Sequence, residues 1–122
     1  MDKAQAIDYF WNSFGLMAFD ENTVPKWAQM PYITYNISTD SLNNVVSMSA
    51  SLWYRTTSWK DITNKANEIE KYLGEHGGIV LKLNEGRMWI NKGTPFIQRI
   101  NDPDDSIRRI RLNIQTEFLT AF

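Results

Sequence analysis

With 122 residues, a net charge of −1 and no cysteine, the chain has room for one domain with its own core and excludes a disulfide scaffold or a thiolate metal site. The near-neutral balance gives no overall field towards nucleic acid or an anionic membrane, and no apolar run approaches the ~20 residues of a membrane helix. The N-terminal MDKAQAIDYF has no basic stretch followed by a long apolar one, so it is not read as a secretory signal. The expectation is a mature chain made in the cytoplasm.

Residues 2 to 19 read as a first helix. Ile7, Phe10, Trp11, Phe14, Met17 and Ala18 share one broad face at helical spacing, Asp2 can cap the start, and Gly15 weakens the last turn. DENTVP, residues 20 to 25, is turn-rich, and Val24 before Pro25 is biased away from helix. In the connector that follows, Trp27 and Met30 are expected to pack beneath the loop. Tyr32 to Ser38 reads as a strand with Ile33, Tyr35 and Ile37 on one side, and TDSLNN turns it into the next.

The centre of the sequence is residues 45 to 73. Val46, Met48, Ala50, Leu52 and Tyr54 alternate with Ser47, Ser49, Ser51, Trp53 and Arg55, which gives a strand one apolar and one hydroxylic face. The period then changes. Trp59, Ile62, Ala66, Ile69 and Leu73 form a helical stripe, with Ser58 and Asp61 placed as a capping pair. Gly74, or Gly77 and Gly78, ends the helix. A third strand runs from Ile79 to Leu83, NEG turns the chain with Gly86 suited to a positive φ, and a fourth spans Arg87 to Asn91. Gly93 and Pro95 break it, and Phe96 to Ile100 is a short fifth. NDPDD is a turn. The last strand spans Ile107 to about Leu119, with Ile110, Leu112, Ile114 and Phe118 inward and Arg109, Arg111, Asn113, Gln115 and Glu117 outward. The order α-β-β-α-β-β-β-β predicts a single α+β domain over residues 1 to 122, with a mixed, mostly antiparallel sheet and two helices on one face.

Few residues suggest chemistry. His76 is the only histidine and has no placeable triad or zinc partners, so it reads as an exposed loop residue. Asp102, Asp104 and Asp105 lack the spacing of a calcium loop and suit turn hydrogen bonds. The glycines of GGIVLKLNEGRMWINKG come without a phosphate-loop lysine followed by Ser or Thr. Glu68 and Glu70 point about 200° apart on a helix. Arg108, Arg109 and Arg111, with Arg87 and Arg99, are the densest basic set; with Trp89 nearby they suit a solvated strand face, a subunit interface or a single-strand binding surface. Trp53 and Trp89 fall outside the expected core, as interface aromatics do. No catalytic residue, cofactor or metal is expected.

YITYNIST, SLWYRTTSWKDITNKANEIEKYLG and GGIVLKLNEGRMWINKGTPFIQRINDPDDSIRRIRLNIQTEFLT, in that order and spacing, resemble the small tail-terminator or tail-completion proteins of long-tailed bacteriophages and their prophage relatives. The resemblance covers roughly residues 24 to 120. It implies an α+β virion protein, assembled in the host cytoplasm, that forms a ring, usually a hexamer. Such a ring caps the tail tube, ends its growth and joins tail to head. The implied partners are other copies of the chain, the tail tube protein and the head–tail connector, with DNA only as cargo and no membrane. From the residues themselves, the candidate subunit or tube interface is Trp53, Arg55, Arg87, Trp89, Asp102, Asp104, Asp105, Arg109 and Arg111. The basic strand and acidic turn would serve as complementary patches of a closing ring. The competing readings are a head-side stopper or adaptor of the neck, and a small-ligand or nucleic-acid binding module.

Overall fold

A computed structural model describes residues 1–38, 45–75 and 77–119; His76 and the TDSLNN turn lie outside them. Helix α1 spans Lys3–Trp11. Asp2 caps it as expected: its carboxylate accepts the Gln5 N–H at 2.8 Å, and the Gln5 side chain accepts the Asp2 N–H at 2.9 Å, a reciprocal capping box. The helix is shorter than its apolar spacing predicts. A 3₁₀ turn follows at Asn12–Phe14, and Gly15 takes a left-handed φ of 81°, which a side chain with a Cβ rarely adopts. Asn12 seals the exit by donating to the Asp8 carbonyl and accepting the Ala18 N–H. The chain then extends as strand β1, Ala18–Asp20. Ala18 therefore reaches the core from a strand and Met17 is exposed, where a continued helix would have put both on one stripe.

Strands β2, Tyr32–Tyr35, and β3, Val45–Arg55, pair antiparallel, as a hairpin requires. Ile33 and Tyr35 are buried and Ile37 packs against the core. Helix α2 spans Lys60–Gly74 and buries Ile62, Ala66, Ile69 and Leu73. The N-cap position is Trp59, one residue beyond the expected Ser58. The first intrahelical bond is accepted by the Trp59 carbonyl; the Ser58 hydroxyl still accepts the Lys60 N–H two residues on, at 3.1 Å, but no capping box forms with Asp61. At the other end Gly77 has a φ of 66° and the Gly78 N–H donates to the Leu73 carbonyl at 2.8 Å, the long bond of a Schellman ending.

Strand β4 is Ile79–Leu83, and Gly86 carries the expected positive φ where the hairpin returns. The expected fourth and fifth strands are one strand, β5, Gly86–Ile100. Gly93 and Pro95 produce a register shift between Lys92 and Ile97, not a break. The displaced residues form a bulge that Asn113 clamps by donating to the Pro95 carbonyl at 2.9 Å. Strand β6 is Ile107–Leu119. The order is thus α-β-β-β-α-β-β-β. The six described strands form one sheet ordered β1-β2-β3-β6-β5-β4, in which every pair is antiparallel except β1 with β2.

Both helices pack on one face of this sheet. Ile7, Phe10 and Trp11 of α1 and the α2 stripe meet Met48, Leu52, Met88, Ile90, Ile110, Leu112 and Ile114 in one core. Each fully buried Leu or Ile stabilises the fold by about 1.5–3 kcal/mol. Helix α1 also touches both edges of the sheet. Asp8 accepts the Tyr35 hydroxyl at 2.6 Å on the β2 side, while Met1 and Asn84 exchange two hydrogen bonds of 2.9 Å beyond β4. The sheet therefore curls around the helices, and its other face is convex.

Candidate functional site

The period of two that builds the core also sets the convex face. Ser47, Ser49, Ser51, Trp53 and Arg55 of β3 point outward beside Arg109, Arg111, Asn113 and Gln115 of β6. Both helices lie on the other side; Ser51 is buried by its neighbours on this face, while Arg55 and Arg111 are exposed. Cross-strand neighbours form a row: Tyr32, Trp53, Arg109 and Ile100. The Arg109 guanidinium stacks 4.7 Å from the centre of the Trp53 ring, and its Nε donates to the Ser51 hydroxyl at 3.0 Å. Trp53 is fixed in turn by donating its indole N–H to Thr34 Oγ1 at 2.9 Å. One step along β6, Arg111 donates to Ser49 Oγ at 3.3 Å, and Asn36 holds Ser49 through its hydroxyl and its N–H. Among the described residues, neither Arg109 nor Arg111 has a carboxylate within salt-bridge distance.

Arg87 and Trp89 belong to the far end of the same face. Val80, Trp89, Glu117 and Val45 form one cross-strand row, and Lys82, Arg87 and Leu119 the next. Eight residues of β6 separate Arg109 from Glu117, about 26 Å at 3.3 Å per residue. The Trp89 indole donates to the Gly77 carbonyl at 3.2 Å. It lies so close that a Cβ on Gly78 would come within 2.7 Å of the indole nitrogen and 2.6 Å of the Ile90 carbonyl oxygen.

The acidic turn is occupied with its own geometry. Asp102 accepts the Asp104 N–H at 2.9 Å, and Asp104 accepts the Ser106 hydroxyl and N–H at 2.7 and 2.9 Å. These two bonds, hydroxyl first, and Arg55 beside them hold the Asp104 carboxyl below its usual range. Arg55 lies 3.9 Å from Asp104 and links the turn to the convex face. Asp105 contributes its backbone carbonyl, which accepts from Arg108 at 2.9 Å. The basic set divides by parity. Arg108 and Arg99 lie over the Trp59 ring, at 5.4 and 4.6 Å, on the helix side, while Arg109 and Arg111, with Arg87 at the far end, reach the convex face. Among the described residues no group of three or more His, Cys, Asp or Glu could hold a metal ion, and no helix is long and apolar enough to cross a membrane.

Two aromatic surfaces escape the sequence reading. Trp27 is 65% exposed rather than packed beneath its loop, because it stacks edge-on against Phe19, 5.8 Å away, which contacts Tyr32 in turn. Beside them lies a shallow cavity of about 390 Å³ lined by Met30, Tyr32 and Arg55. On the helix side, Tyr9 and Tyr72, 58% and 46% exposed, flank a cavity of about 280 Å³ with Phe10, Phe14, Glu68 and Leu81. Both tyrosines sit just off their helix's apolar stripe, the one signal they give in sequence. The arrangement as a whole offers recognition chemistry: guanidinium forks, hydroxyls and exposed π faces. In comparisons with protein families, with characterised proteins and with solved structures, nothing matches the chain.

Proposed function

We propose that the chain is a tail-terminator subunit of a long-tailed phage or prophage. Six copies form a ring at the head-proximal end of the tail tube, end tube growth and join tail to head. The reading starts from the resemblance of residues 24 to 120, and one structural observation supports it. The exposed aromatics gather into two separate surfaces, Trp27 with Phe19 and Tyr32 at the β1–β2 end of the outward face, and Tyr9 with Tyr72 on the helix side. A closed ring needs two different patches on each subunit, one for each neighbour. Aromatic residues are also the side chains that most often dominate binding energy at such contacts. With neighbours on these two surfaces, the part of the convex sheet face beyond Tyr32 stays free for the tube, the connector or the DNA that passes through.

Electron microscopy of purified tail tubes mixed with the protein tests this reading. The expected result is a ring on one end of each tube, lost when Trp27 or Tyr72 is replaced by alanine. Tube ends that stay bare overturn the proposal. Rings found on the head connector instead would assign the chain to the head side of the neck.

A further inference from the structure

The convex face separates charge from the rest of the chain. The molecule carries a net charge of −1, yet among the described residues Arg55, Lys82, Arg87, Arg109 and Arg111 all lie on the outward positions of this sheet, with Glu117 the one outward strand carboxylate. Arg55 is engaged by Asp104. The other four cations have no carboxylate within salt-bridge distance among the described residues. Charge alone would suit any polyanion, but the aromatic content narrows it. The Arg109 guanidinium lies over the Trp53 ring, 4.7 Å from its centre, and a guanidinium held on one side by an aromatic ring has its other side for a nucleobase. Arg111 follows two residues later on the same strand, about 6.6 Å away, between hydroxyl and amide side chains.

We propose that the convex face binds single-stranded nucleic acid along β6. Arg111, Arg87 and Lys82 take backbone phosphates, and a base stacks on the Arg109–Trp53 pair. Phosphate contacts on a basic sheet combined with base stacking is a general way to hold a single strand without sequence preference. The proposal rests on this face alone and does not require the ring.

The test is fluorescence anisotropy of a labelled oligothymidylate with the full chain. Neutralising three phosphates predicts binding about 18-fold weaker at 200 mM than at 50 mM salt, from a slope of about −0.7 per phosphate. Arg111→Gln and Arg87→Gln, both at exposed positions, should keep the native circular dichroism and each lower that slope by about 0.7. Arg109→Lys keeps the charge but loses the planar stack, so affinity should fall several-fold with the slope unchanged. Absence of binding at 50 mM salt, or slopes unaltered in the glutamine variants, overturns the proposal. So does equal affinity for a duplex, because bases are then not being stacked. Equal affinity for polyglutamate also overturns it, and would assign the face to an acidic protein partner. None of these outcomes bears on whether tube ends are capped.

Discussion

The two faces of the sheet are made by the same strands and the same hydrogen-bond ladder, yet they differ completely in chemistry. On β3, Met48, Ala50 and Leu52 are at most 3% exposed, while the residues between them carry the serine row that holds Arg109 and Arg111. On β6, Ile110, Leu112 and Ile114 alternate with the arginines in the same way. Stability and recognition are thus written on alternate residues of one segment. A slip of a single residue in the β3–β6 register would exchange them, so the core fixes the position of every group on the convex face.

The sharpest way to break the comparison is to truncate the inner face. Leu52→Ala or Ile110→Ala should destabilise the protein by about 3 kcal/mol, read as a lower urea midpoint. A smaller effect belongs to the link between α1 and the sheet. Tyr35→Phe removes the hydroxyl that donates to Asp8 and should cost about 1–2 kcal/mol. It should also alter the alkaline limb of stability. Burial, then the hydrogen bond and charge of Asp8, raise the Tyr35 pKa well above its ordinary value, so the fold favours the neutral hydroxyl. That contribution is complete below pH ~10 and is lost as pH rises through the folded pKa. Tyr54, raised by burial and then by Asp61 and Glu68, acts in the same direction. The wild type should therefore lose stability above pH ~10, and Tyr35→Phe should lose less. The smallest effect is expected on the outer face. Arg111→Ala should leave stability within about 0.5 kcal/mol, and a larger loss would mean that the convex face also carries the fold.

Much of this division was legible in the residues. Strands β3, β4 and β6 show themselves by alternation between turn signals, and α2 by its stripe, because each is long enough for its period to be unmistakable. Strand β1 is not legible. Three residues cannot display a period, and Ala18–Asp20 is extended because Gly15 and Asn12 end the helix and β2 accepts a parallel neighbour. The exposure of Trp27 was hidden for the same reason, since Phe19 supports it from that strand. Gly93 and Pro95 look like an interruption in sequence, but the two strands flanking them pair with one partner, β6, and the bulge absorbs the extra residues. For the convex face, parity separates Arg108 from Arg109 and Arg111, while the stacking of Arg109 on Trp53 depends on the β3–β6 register, which pairs residues 45–55 with 107–117 and cannot be read from either segment alone.

Strand β6 is the last of the described strands in sequence and stands between β3 and β5. While the polypeptide emerges from the ribosome, β3 and the β4–β5 hairpin must wait with open edges for the segment that joins them. Such edges invite pairing with other chains. The chain is therefore most open to edge-to-edge pairing before its final strand is made.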